Sequence, residues 1–239
     1  MSVRQSPLAG TPILFADSGA SSHDGRQSAA AFQLALRLGA TGIEADVWAT
    51  LDHQPVLAPS GRLGRWTRRT IGSTSRAELG DQVVDVAQLL EWTAPTHALS
   101  LHLHDDRCIE PVIGIAEQFG SVARTWIRSD RLEWLTAVRS EHSDVRLIWH
   151  TALAGAANGP ERVIASVRAA GVDAISLRHD EWTGGMVALA HRFRRLAFAT
   201  DAQHQRIVTS VAYIGIDGIS GTHVDRLVDG LIDGRQPSD

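Results

Sequence analysis

Short apolar runs alternate with longer stretches of helical period along this chain of 239 residues, and that alternation restricts its fold more than any other feature. Strands are expected at "PILFA" (12–16), "GIEADV" (42–47), "LSLHLH" (99–104), "ARTWI" (123–127), "VRLIW" (145–149), "DAISL" (173–177), "LAFAT" (196–200) and "DGISG" (217–221). Helical stretches stand between them, at 28–40 and around 108–119, 130–141, 160–170, 183–194, 204–214 and 224–233. One further run, "QPVLA" (54–58), follows the second strand across the tight turn Leu51-Asp52-His53 and reads as its hairpin return. Parallel strands need helical crossovers, so this order predicts an α/β chain closed as a single (β/α)8 TIM-type barrel, with a hairpin return strand after strand two. "AAGVDAIS" and "YIGIDGIS" look like one loop-to-strand step used twice, as a repeating βα architecture would require. No linker or low-complexity break interrupts the pattern, so one domain is expected over 1–239, with its core at about 12–233. The Arg/Ser/Gly-rich segment 60–85 is expected to make a long excursion over one end of the barrel.

Composition removes several classes of function. A net charge of -4 leaves no electrostatic footprint for nucleic acid or an anionic membrane surface. All 23 basic side chains are arginine, which excludes Schiff-base and lysine-base chemistry. Cys108 is alone, so no intrachain disulfide forms and an oxidising compartment is not implied. No apolar run is long enough to span a bilayer, and the opening "MSVRQSPLAGTP" lacks an apolar leader core; a cytoplasmic location is the expectation.

Barrels of this kind build their sites at the C-terminal ends of the strands, and the chain's carboxylates and imidazoles fall there. Asp17 follows the first strand. Glu44 and Asp46, two residues apart, point both carboxylates to one side of the second. His102 and His104 repeat that spacing, opposite Leu101 and Leu103, and Asp105 and Asp106 follow directly. Two like charges on one buried face repel unless a cation or hydrogen-bond donors compensate them. An oxygen pair facing an imidazole pair is a donor set for a divalent ion, with Glu44, Asp46 and His102 as expected ligands and Mg²⁺, Ca²⁺, Mn²⁺ or Zn²⁺ as candidates. The chain's many arginines can satisfy the same carboxylates without an ion, and strand histidines can be hydrogen-bonded core groups; the spacing leaves both readings open. His23 and Asp24 lie in a polar loop from which His23 can reach the site. "GRLGRWTRR" (61–69) offers Arg62 and Arg65 as phosphate ligands, with a solvated basic loop as the alternative. The seven tryptophans, Trp48, Trp66, Trp92 and Trp182 among them, are read as packing residues. Gly-rich phosphate loops, nucleophile elbows and HExxH patterns are absent.

The order of these motifs resembles the glycerophosphodiester phosphodiesterase family from Ile13 to about Leu231. The family's opening His-Arg-Gly-Ala falls on Asp17-Ser18-Gly19-Ala20, and its Pro-Glu-Asn-Thr helix start on Gly25-Arg26-Gln27-Ser28, followed by the well-matched "AAAFQLALRLGATGIEADV". Its Glu-x-Asp metal pair falls on Glu44 and Asp46, its return strand on "PVLAPS", and its Glu-x-Lys on His102 and His104. "ATDA", with Asp201 near the family's Asn, is a loose match to Trp-Thr-Val-Asn, and "GIDGISGTHVDRL" resembles the closing motif. The resemblance implies a barrel that binds a small phosphoester and hydrolyses phosphoric diesters in glycerophosphodiester and lipid metabolism. A carboxylate-held divalent ion would polarise the ester, and two histidines would act as base and acid. Asp17 and Pro59 stand where those histidines belong, and Ser18 stands in place of the phosphate-binding arginine. Losing one acid–base group costs roughly 10²–10⁴-fold in rate, and two are replaced. An ionised Asp17 beside an anionic phosphate would repel it and could donate no proton.

Three readings follow. In the first, the chain keeps the phosphoester ligand but hydrolyses it weakly or not at all. In the second it is a re-purposed metal-dependent hydrolase, with Glu44, Asp46 and His102 on the ion and Asp17, His23 or His104 handling protons. In the third it is a non-catalytic binding barrel with its polar centre satisfied by arginines.

Overall fold

A computed structural model describes residues 4–21, 27–64, 68–153 and 159–235. In chain order its strands are β1 (Ile13–Asp17), β2 (Gly42–Ala49), β3 (Pro55–Leu57), β4 (Val84–Asp85), β5 (Ala98–Leu103), β6 (Thr125–Ser129), β7 (Arg146–His150), β8 (Ala174–Arg178), β9 (Leu196–Thr200) and β10 (Gly218–Gly221). The α-helices are α1 (Ala29–Arg37), α2 (Arg76–Leu79), α3 (Val86–Trp92), α4 (Ile109–Gln118), α5 (Leu132–Glu141), α6 (Gly159–Ala169), α7 (Gly184–Arg192), α8 (Gln205–Tyr213) and α9 (Val224–Arg235). Every strand but β3 and β4 lies parallel to its neighbours in one ring, and the ring closes because β1 pairs with both β2 and β10. This is the expected (β/α)8 barrel. β3 returns antiparallel on β2, with Val47, Trp48 and Ala49 opposite Leu57, Val56 and Pro55. Thr50 sets that hairpin: its hydroxyl donates to Asp52 (2.6 Å) and accepts from the Gln54 amide (2.9 Å).

The core lies mainly between the ring and its helices, where Ile43, Leu99, Leu101, Ile127, Leu147 and Leu177 face outward and are fully covered. Burial on both faces explains why the ring strands read as nearly continuous apolar runs. Inside the ring, Phe15, Ala98, Trp126, Ile148, Ala174 and Phe198 form a separate apolar plug. Above it, toward the strand C-termini, the interior becomes polar, and the serines Ser100, Ser176 and Ser220 leave space for longer side chains.

Segment 60–85 has structure of its own. It holds α2 and β4, and its Ile71, Leu79 and Val83 pack with Val56 and Ala58 into a satellite core under Trp48 and Leu63. Arg76 clamps Asp85 at 2.5 and 2.9 Å to close it. Helix α3, immediately after, was not expected from the sequence pattern.

Candidate active site at the barrel mouth

The period of a strand decides which side chains enter the barrel. Counting by twos, β2 sends in Glu44 and Asp46, β5 Ser100 and His102, and β6 Trp126 and Arg128. β7 sends in Ile148 and His150, and β8 Ala174, Ser176 and Arg178. In register, Asp17 lies beside Glu44, Glu44 beside Ser100, Asp46 beside His102, and His102 beside Arg128. Carboxylates, imidazoles and a guanidinium thus share the mouth.

Glu44 is satisfied from within the protein. Arg128, itself buried, forms an ion pair with its Oε1, and the Ser220 and Ser100 hydroxyls donate to its two oxygens at 3.1 and 3.4 Å. The Arg128 Nε is buried without a hydrogen-bond partner. Asp46 is held differently. The Gln27 side chain clasps it, donating to Oδ2 (2.8 Å) and accepting from the Asp46 amide (3.1 Å). His104 Nε2 lies 2.8 Å from Asp46 Oδ1, and His102 Nδ1 lies 3.6 Å from the same oxygen. Burial opposes the charge on Asp46, but the two histidines beside it outweigh that and hold the carboxyl far below its ordinary range.

The histidines are oriented in turn. The other nitrogen of His102, Nε2, meets Asp130 at 3.1 Å. Burial lowers the pKa of His102, yet the hydrogen bond to Asp130 and the nearby Asp46 carboxylate carry it above the ordinary value. The His104 ring stacks on Trp48, with centroids 4.5 Å apart and planes at 12°. Trp48 is fixed by donation to Ala58 O (3.0 Å) and by Gly61, where an added Cβ would sit 2.6 Å from the indole. The His150 ring meets His102 edge-on at 5.8 Å, and its Nδ1 lies 3.3 Å from Ser176 Oγ. Burial, then Arg128 and His102, push His150 down to about 4, so it is neutral at pH 7.

Asp17 ends β1 and takes a hydrogen bond from Ser18 Oγ at 3.0 Å. Burial, then Glu44, raise its carboxyl to about 6. Asp17 is therefore still mostly ionised at pH 7, with a protonated minority that an ordinary carboxylate lacks. The turn after it needs Gly19, at φ +77, because an added Cβ would come within 2.7 Å of the Ala31 backbone at the start of α1.

Asp46, His102 and His104 therefore converge, each offering one ligand atom within 4.8 Å of the others. Glu44 is outside that group and is held by Arg128 instead. His23 and Arg65 lie outside the described residues. Arg62 is exposed on a cleft shared with Trp48, Pro59, Ser60, Gly72 and Asp105, which neither histidine lines. Asp105 is engaged by Arg107 at 2.6 and 3.0 Å. Cys108 is buried, and burial pushes its thiol up to about 12, which removes it as a nucleophile. The residues missed in the sequence are Arg128, Asp130, His150 and Arg178. A second open cleft of about 580 Å³ lies at the ends of β7, β8 and β9, lined by His150, Thr151, Arg178, Asp180, Thr200 and Asp201. Arg178 is held there by both oxygens of Asp180.

No family model matches the chain, and no curated protein matches it in sequence. Solved structures do. A Silicibacter pomeroyi protein classed provisionally as a glycerophosphoryl diester phosphodiesterase is 18% identical with a TM-score of 0.86, each chain covered over 95%. A Thermotoga maritima glycerophosphodiester phosphodiesterase is 15% identical with a TM-score of 0.79, covering 91% of this chain and 97% of its own. An Oleispira antarctica phosphodiesterase, solved with the product sn-glycerol-3-phosphate, is 15% identical with a TM-score of 0.78, covering 93% of this chain and 97% of its own. The fold is thus the barrel solved for glycerophosphodiester phosphodiesterases, shared at 15–18% sequence identity. No helix among the described residues is long and apolar enough to cross a membrane.

Proposed function

We propose that this chain binds a small phosphoester at the C-terminal mouth of its barrel. It cleaves phosphoric diesters of the glycerophosphodiester class slowly, by a route altered from the two-histidine mechanism that the resemblance implies. The observation that carries the reading is the gathering of Asp17, Asp46, His102, His104 and His150 at the strand ends, in a fold for which one solved phosphodiesterase holds sn-glycerol-3-phosphate. The cleft at β7–β9 supplies ligands for ester oxygens in Arg178, Thr151 and Thr200. Asp17 occupies one of the two expected proton-carrying positions. With its carboxyl raised to about 6, it can give or take a proton near neutrality, as a fully ionised carboxylate could not. Pro59, at the other position, carries no proton. One missing acid–base group sets the expected deficit at roughly 10²–10⁴-fold.

The test is hydrolysis of glycerophosphodiesters and an aryl phosphodiester, with divalent ions supplied, by wild type and Asp17→Asn. Slow turnover that falls at least about 10-fold in the variant supports the reading. A rate limb near pH 6 in wild type alone would strengthen it. Equal rates in both proteins would remove Asp17 from the mechanism. The buried Glu44–Arg128 pair favours a second reading, a barrel that binds without cutting. That reading gains if no turnover is seen while sn-glycerol-3-phosphate still raises the melting temperature.

A further inference from the structure

We propose that Asp46, His102 and His104 form a site for a divalent transition metal of the Zn²⁺, Co²⁺ or Fe²⁺ class. It discriminates against Mg²⁺ and Ca²⁺, and Glu44 takes no part in it. The inference concerns ion binding and stands whether or not a diester is cleaved.

Distances come first. A tetrahedral ion with bonds of about 2.0–2.1 Å holds its donor atoms about 3.3–3.4 Å apart. The separations from Asp46 Oδ1, 2.8 Å to His104 Nε2 and 3.6 Å to His102 Nδ1, bracket that value. The second is too long for a hydrogen bond, so Asp46 and His102 already stand as neighbouring ligands do, with no direct bond between them.

Orientation is the second observation, and it separates a built site from a chance cluster. Metal-binding side chains are held by partners on their far atoms, which leaves one lone pair aimed at the ion. Gln27 occupies Asp46 Oδ2 and leaves Oδ1 facing the histidines. Asp130 occupies His102 Nε2 and leaves Nδ1 facing Asp46. Trp48 fixes the plane of His104, whose Nε2 faces the same oxygen. Each of the three residues offers a ligand atom within 4.8 Å of the others at the mouth.

Glu44 is excluded by charge. Arg128 is within bonding reach of its Oε1 and both Ser100 and Ser220 donate to it, so a metal ion there would have to displace a buried guanidinium. The remaining set of two imidazoles and one carboxylate decides the metal. Imidazole suits Zn, Fe, Ni and Cu, whereas Mg²⁺ and Ca²⁺ are held by oxygen and dehydrate poorly for nitrogen.

The full chain, stripped with a chelator, should be titrated with Co²⁺, Zn²⁺, Mg²⁺ and Ca²⁺, following heat and the visible absorption of bound Co²⁺. Expected are one Co²⁺ per chain with ligand-field bands, displacement by an equivalent of Zn²⁺, and no displacement by millimolar Mg²⁺ or Ca²⁺. His102→Ala and His104→Ala should each lose the spectrum, with melting curves recorded to show that both fold. Asp130→Asn should weaken binding about 10–100-fold while keeping the spectrum. Glu44→Gln should bind Co²⁺ as wild type does. The proposal is overturned if wild type binds no Co²⁺ or Zn²⁺ stoichiometrically. It is equally overturned if folded His102→Ala and His104→Ala bind as wild type does, or if folded Glu44→Gln loses the ion.

Discussion

At the scale of the residue, the ion pair inside the barrel is the interaction with the most at stake. Glu44 and Arg128 side chains are 12% and 6% exposed, so each desolvated charge depends on the other. Removing one partner leaves an unpaired buried charge, which typically costs about 3–5 kcal/mol, whereas replacing both with apolar groups of similar volume is often near neutral. Arg128→Met is therefore expected to lower the urea midpoint sharply, and Glu44→Leu/Arg128→Met to recover most of the loss. Additive losses in the double variant would show that the two groups are not coupled. Asp17 makes a pH prediction. Its folded pKa, about 6, lies above its ordinary 3.8, so folding favours the neutral form. That contribution is fully present below about pH 4 and is lost as the pH rises through about 6. Across that window wild type should lose stability relative to Asp17→Asn, by on the order of 1–3 kcal/mol. Denaturant curves of the chelator-treated pair check it, and a difference of opposite sign would refute the assignment.

At the scale of the element, the repeated "GVDAIS" and "GIDGIS" steps prove to be one device. Asp173, before β8, accepts from the Leu147 amide on β7 (2.9 Å) and from Arg139 on α5 (2.7 Å). Asp217, before β10, accepts from the Ala197 amide on β9 (2.8 Å), meets His191 on α7 (2.8 Å) and takes the Ala9 amide as well (3.0 Å). Each carboxylate ties the second residue of the preceding strand to the helix before it, and so fixes the stagger between neighbouring βα units. Stranding a buried N–H costs about 1–3 kcal/mol. Asp217, fully buried with its three partners, should cost more on replacement by alanine than Asp173, whose side chain is 34% exposed. Comparison of urea midpoints for Asp217→Ala and Asp173→Ala decides it.

At the scale of the molecule, β1 bonds to both β2 and β10, so the first and last strands cannot separate without opening the ring. The closed ring is expected to unfold in one step. Far-ultraviolet dichroism and tryptophan fluorescence are expected to give coincident urea transitions, and a resolved early phase would mark segment 60–85 with its satellite core as a separate unit.

Most of the architecture was legible because a ring buried on both faces writes itself as apolar runs separated by amphipathic helices. All eight barrel strands and the return strand fall within two residues of their expected ends. Several of the expected strands stopped one or two residues short, however, and part of the site lies just beyond those stops. "ARTWI" runs on through Arg128, "VRLIW" ends at His150 and "DAISL" at Arg178, each on the inward-facing side. A count by twos from the apolar plug would have reached them. The sequence alone determined the barrel, the paired carboxylates and the paired histidines, because these follow from local period and spacing. Only the tertiary structure decided that Arg128 takes Glu44 while His102 and His104 turn to Asp46. Those partners come from different strands, and the choice depends on which side chains the closed ring brings within bonding distance.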